Sequence, residues 1–97
     1  MEEHYIDFAG VKRFDDFYKV LIRGLDFPEW CGKNTDAIWD LVTGGMNAPA
    51  TLYIKGVEQL PEDLKSEWKD VLRIFNEAKE WYAEFNKDFV LIFEDER

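Results

Sequence analysis

Cysteine, histidine, proline and glycine are all scarce in this chain of 97 residues, which holds one Cys, one His, three Pro and six Gly. Each scarcity removes a class of function. A single thiol, Cys31, cannot close an internal disulfide, so stability has to come from a hydrophobic core. One histidine, His4 near the N-terminus, and one cysteine form no metal-spaced cluster. The glycines form no phosphate-binding loop and no nucleophile elbow, so neither metal nor cofactor is expected. Long apolar runs are missing too. Phe89 to Phe93, the longest, falls far short of the roughly 20 residues that span a bilayer as a helix. No charged-then-apolar leader precedes the first strand-like segment, and a cytoplasmic location is expected. Positive charge is also short: 12 Lys and Arg face 21 Asp and Glu, a net charge of −9 and a pI near 4.5. Such a balance disfavours nucleic acid and anionic membranes and favours a basic protein partner, drawn in by long-range attraction.

What remains is enough for one domain over residues 1–97, burying about 65% of the surface of the unfolded chain. Tyr5 to Val11 alternates apolar and polar residues and reads as a first strand, closed by the turn-forming Ala9-Gly10. A helix follows with Asp15 as its cap, Phe17, Tyr18, Leu21 and Leu25 at helical spacing, and a break at Pro28. Ala50 to Lys55 is a second strand by its β-branched and aromatic content. Ala48-Pro49 is expected to form the turn into it, where a cis bond costs only about 0.5–1 kcal/mol. Gly56 to Pro61 reads as a connection or a single helical turn. From Glu62 to about Ala83 a long helix places Leu64, Trp68, Val71, Leu72, Phe75, Ala78 and Tyr82 on one stripe. The last strand, Phe89 to Phe93, is apolar at every position, a pattern suited to burial on both faces, and Glu94 to Arg97 reads as a frayed tail. Strands separated by helices imply an α/β fold: a small three-stranded parallel sheet flanked by helices.

Residues 25 to 44, LDFPEWCGKNTDAIWDLVTG, are the most informative stretch. Asn34 is a good N-cap, Thr35 to Thr43 can continue as helix, and Gly44 stands at the stop. At about 100° per residue, Ala37, Ile38, Leu41 and Val42 share an apolar side, while Asp36, Asp40 and Thr43 share the other, with Trp39 at the seam. Two aspartates spaced i,i+4 cost an isolated helix about 0.2–0.5 kcal/mol, so fold stability gives no strong reason to pair them. A solvated helix face is the ordinary explanation for such a pair. Here Trp30, Cys31, Gly32 and Trp39 add aromatic surface and flexible backbone beside the carboxylates, a mixture closer to a binding hot spot. Catalysis is disfavoured, because nothing on an open helix face raises the pKa of one carboxylate above the other. Cys31 lies near Glu29 and Asp36, which oppose a thiolate, and reads as packing. Glu77 lies off the apolar stripe of the long helix, an ordinary surface position taken alone.

The run Leu25 to Gly44 resembles the signature of barstar-type ribonuclease inhibitors, L-x-L-P-E-Y-Y-G-x-N-x-D-A-L-W-D-x-L-T-G, and Val71 to Lys79, VLRIFNEAK, is similar to that family's V-L-x-V-F-R-E-A-K. The resemblance covers nearly the whole chain. It implies a three-stranded parallel sheet with helices and a cytoplasmic immunity protein that blocks a secreted guanyl-preferring ribonuclease, as a monomer in a 1:1 complex. By that resemblance Asp40 enters the phosphate-binding pocket of the nuclease and pairs with arginine and histidine side chains. Asp36 adds a second ion pair, Glu77 a peripheral one, and Thr43 with the Gly44 backbone contacts base-recognition or rim loops. Trp30 stands where the family has a tyrosine that packs on the catalytic histidine. Gly32, Asn34 and Trp39 complete the implied partner-binding set. Three positions depart from the pattern: Cys31 replaces a tyrosine, Lys33 an acidic residue, and Gly45 a tryptophan. A barstar-like fold that serves as an acidic adaptor for another basic protein is the alternative these departures leave open.

Overall fold

In a computed structural model, which describes residues 2–28 and 32–94, three strands and three helices follow one another along the chain. They are β1 (Glu2–Asp7), α1 (Phe14–Gly24), α2 (Thr35–Gly44), β2 (Ala50–Lys55), α3 (Glu62–Ala83) and β3 (Phe89–Glu94), with a 3-10 turn at Val57–Gln59 before α3. The sheet is parallel throughout, in the order β1-β2-β3. Register places His4 beside Leu52 and Leu91, and Tyr5 beside Tyr53 and Ile92. Since side chains alternate across a strand, the first row faces the helices and the second faces away from them.

The inner face holds the core. Ile6, Leu52, Ile54 and Phe89 from the sheet are buried with Phe8, Phe17, Tyr18 and Leu21 from the α1 region and with Val71, Phe75 and Ala78 of α3. Aromatic contacts tie these layers: Phe8 stacks on Phe17 at 5.0 Å, meets Trp68 edge-on at 5.5 Å, and Tyr82 stacks on Phe89 at 5.5 Å. Each such pair contributes about 0.5–1.5 kcal/mol beyond its buried area. Polar ties cross the same interfaces. The Tyr18 hydroxyl donates to Glu67, linking α1 to α3, and the Tyr82 hydroxyl donates to the Val42 and Met46 carbonyls, pinning the end of α2. Gly56 starts the 3-10 turn with φ 81°, and a Cβ there would lie 2.6 Å from the Ala9 nitrogen, so both backbone conformation and space demand glycine.

The parallel α/β architecture, β2 and α3 match the expectations from sequence, and the Ala48-Pro49 bond is cis. Other expectations are corrected. The first strand runs Glu2–Asp7 rather than Tyr5 to Val11, because Phe8 and Val11 turn into the core beyond the paired segment. Asp15 does not cap α1; the N-cap lies two residues earlier, at Arg13, with no side-chain cap, which puts Asp15 and Asp16 in the first turn. There they favour the positive end of the helix dipole. On α3, Ile74 is buried whereas Leu72 is only partly so. The largest correction concerns β3. It forms an edge of the sheet, and Val90, Ile92 and Phe93 are exposed, so burial on both faces does not hold. Glu94 belongs to β3 rather than to a tail, and 95–97 lie outside the described residues. No helix is long and apolar enough to cross a membrane among the described residues.

Candidate binding face on helix α2

Helix α2 begins where the sequence indicates. Asn34, extended at φ −156° and ψ 167°, accepts a hydrogen bond on its side chain from the Ala37 N–H at 2.8 Å, satisfying one of the free donors at the helix start. A Cβ on Gly32 would approach the Asn34 side chain to 3.2 Å and Ala37 to 3.3 Å, so the incoming chain passes close over that cap. The helix ends one residue later than expected, with Gly44 as its last residue and Gly45 as the C-cap. Ile38 and Val42 are buried, Ala37 and Leu41 partly so, while Asp36 and Asp40 are exposed on the opposite face. Neither aspartate has a hydrogen bond or ion pair among the described residues, so the anionic face is free to meet a cation.

The flanking positions divide by role. Trp39 is half-buried and meets Trp81 of α3 edge-on, with ring centroids 6.4 Å apart, so it both packs and borders the face. The Thr43 hydroxyl donates to the Trp39 carbonyl at 2.7 Å, while Gly44 is exposed with open space where a Cβ would stand. Glu77 is exposed on α3, one turn before the Trp81 that touches Trp39. That spacing places the carboxylate on the same flank as α2. Asn34 is spent on capping and acts by positioning the helix. Trp30 and Cys31 lie outside the described residues.

Two departures from the family pattern find a structural account. Lys33 pairs with Asp15 at 3.5 Å, so its charge is turned toward α1 and partly neutralised. At Gly45 a Cβ would stand 3.1 Å from the Phe27 ring and 3.2 Å from the Leu41 carbonyl, so Phe27 fills space that a larger residue would need. His4, set aside in the sequence as a terminal residue, is buried on β1, its Nε2 2.8 Å from Glu2 Oε1 and its Nδ1 3.3 Å from Asp26 Oδ2. Burial raises the Glu2 carboxyl, but hydrogen bonds from His4 and Asn47 outweigh it, and the net shift is downward. Sequence carried no signal for this cluster, since Asp26 reaches His4 only through the tertiary fold, from a left-handed position at φ 62°. No group of three His, Cys, Asp or Glu that could hold a metal occurs among the described residues.

The family model described as Barstar (barnase inhibitor) matches residues 1–94. The chain belongs to the barstar family. A relative from Bacillus subtilis (strain 168), bearing the name "Putative ribonuclease inhibitor YrdF", is 35% identical over 94 residues, covering 97% of this chain and all of the relative.

Proposed function

We propose that the protein is an intracellular inhibitor of a guanyl-preferring, barnase-type ribonuclease, which it blocks by laying the acidic face of α2 and the adjoining loop into the active-site cleft. The observation that carries this reading is the pair Asp36 and Asp40: two exposed carboxylates, without ion-pair partners of their own among the described residues, on a helix packed firmly by Ile38 and Val42. A cleft built for RNA phosphates is cationic, and a rigid helix bearing two anions is complementary to it. Asp40 is the central anion, pairing with the arginine and histidine side chains that would otherwise hold phosphate. Asp36 adds a flanking ion pair and Glu77 a peripheral one. Trp30, Gly32, Trp39, Thr43 and Gly44 supply the contact surface, and Asn34 holds the helix start. Net charge −9 steers the encounter, as is familiar for the barnase–barstar pair itself. The protein acts as a monomer in a 1:1 complex, in the cytoplasm, and binds no nucleic acid. Mixing the purified protein with a barnase-type ribonuclease and following RNA cleavage tests the reading. Stoichiometric loss of cleavage is expected, and undiminished cleavage at excess inhibitor would favour the acidic adaptor instead.

A further inference from the structure

Helix α3 separates its charges by side, and the flank turned away from α2 carries lysine as its only charged residue. At about 100° per residue, Glu62, Asp63, Glu67, Asp70, Glu77 and Glu80 fall within an arc of about 140° that runs from the solvent side toward α1 and α2. There Tyr18 meets Glu67 and Trp39 meets Trp81. Lys65, Lys69 and Lys79 fall within a separate arc of about 80° on the other flank, together with Leu72 and Asn76. That flank stands over the β3 edge of the sheet. Trp68 and Phe75, which lie between the centre of the core stripe and the lysines, meet Phe93 and Phe89 of β3 at ring-centroid distances of 6.3 and 6.4 Å. Lys65 pairs with Glu62 at 3.7 Å within the helix, whereas Lys69 and Lys79 are exposed and make no ion pair among the described residues.

The strand below these lysines has an open edge. The Asp88 carbonyl accepts from the Ala50 N–H, so alternate residues from Asp88 onward turn their backbone groups to β2, and Phe89, Leu91 and Phe93 turn theirs outward. Such an edge is a template for another strand unless charge, proline or a bulge blunts it. Phe89 to Phe93 contain no charge and no proline, and their pairing with β2 stays in step throughout. Phe93 is 53% exposed on the helix side, and Val90 and Ile92 are exposed on the outer side. Six strand residues span about 20 Å, and the rise from Lys65 to Lys79 is about 21 Å, so the lysine row runs beside the whole edge. A second copy is a poor occupant. Each copy carries −9, and centring β3 on itself at Leu91 sets Asp88 against Glu94, a like-charge pair at both ends.

We propose that the groove between α3 and the β3 edge receives an extended acidic segment of a partner protein, added to β3 as a fourth strand. Backbone pairing with Phe89, Leu91 and Phe93 holds the segment, and its alternate side chains divide by face. Carboxylates on the helix side reach Lys69 and Lys79, while apolar side chains on the outer side lie beside Val90 and Ile92. This surface shares no residue with the acidic face of α2 and does not depend on the inhibitor reading. The probe is a hexapeptide of alternating glutamate and valine, acetylated and amidated at its ends, titrated into the full chain while amide hydrogen exchange is followed residue by residue. Saturable binding should slow exchange at Phe89, Leu91 and Phe93. The double variant Lys69→Glu, Lys79→Glu should bind about tenfold more weakly, and the same peptide with lysine in place of glutamate should bind less well than the acidic one. Asp40→Ala should bind it like the wild type. Unchanged exchange at the three amides in the wild type would overturn the proposal, as would equal binding of the lysine peptide. Binding of a single-stranded RNA oligomer in place of the peptide would make the lysine row a phosphate site and overturn it too. Protection of the three amides that rises with protein concentration in the absence of peptide would assign the edge to a second copy and do the same.

Discussion

Replacing Asp40 by alanine should make the free protein more stable, although that residue is the one assigned the largest part in binding. Asp40 is exposed in the middle of α2, four residues after Asp36, with no ion pair among the described residues to lose. Two terms act in the same direction. Relief of i,i+4 repulsion contributes about 0.2–0.5 kcal/mol, and the better helix propensity of alanine contributes about 0.5 kcal/mol. Together they give about 0.7–1 kcal/mol, which for a domain of this size raises the thermal midpoint by about 3–8 °C. Asp36→Ala should gain less, because Asp36 lies in the first turn of the helix and loses a favourable dipole interaction of about 0.3–1 kcal/mol. Calorimetry or circular dichroism melts of both single variants and the double variant, at low and high salt, isolate the repulsion. The double variant should fall short of the sum of the singles, and the shortfall should vanish near 1 M salt, where the screening length is about 3 Å. A midpoint lowered by Asp40→Ala would refute the reasoning, since it would mean that the carboxylate makes a stabilising contact inside the fold.

Other outcomes follow from the same structure. Tyr82→Phe should cost about 1–3 kcal/mol, because the Val42 and Met46 carbonyls lose a buried donor, and a denaturant titration checks it. Burial and the bond to Glu67 raise the Tyr18 hydroxyl above its ordinary range. A raised pKa favours the neutral, folded form, so the stability it supplies is complete below the unfolded pKa near 10 and is lost as pH climbs toward the folded value. Tyr18→Phe should flatten that alkaline decline in melts recorded from neutral pH upward. Association with the ribonuclease should slow markedly with rising salt while dissociation changes less, as stopped-flow rates at two ionic strengths would reveal. A salt-independent association rate would argue for an apolar interface.

Much of this arrangement was legible before the fold was known, and the exceptions have physical reasons. Helix α3 and strand β2 are legible in the sequence, since one repeats apolar side chains with helical period over 22 residues and the other is β-branched between a proline and a glycine. Asn34 announced α2 because capping is a local interaction, made within three residues. β3 is legible as a strand but its exposure is not, because a continuous apolar run looks the same in a central strand and in an edge strand, and only the order β1-β2-β3 separates the two. The approach of Asp26 to His4 and the meeting of Trp39 with Trp81 join residues far apart in sequence, and no periodicity reports such contacts. Trp81 is legible as a large aromatic beside the apolar stripe of α3 and one turn after Glu77, but only the packing of α2 on α3 brings Trp39 to it.

The central claim is that Asp40 acts as a phosphate mimic in a ribonuclease cleft. Inhibition constants against a barnase-type ribonuclease, measured for the wild type, Asp40→Ala and the control Asp70→Ala on α3, test it most directly. Asp40→Ala should lose most of its inhibition while keeping or raising its thermal midpoint, because cationic groups in the cleft are left without a counter-charge. Asp70→Ala, whose carboxylate is exposed on α3 and pairs with Arg73 at 3.9 Å, should inhibit like the wild type. Full inhibition by a well-folded Asp40→Ala protein would contradict the account.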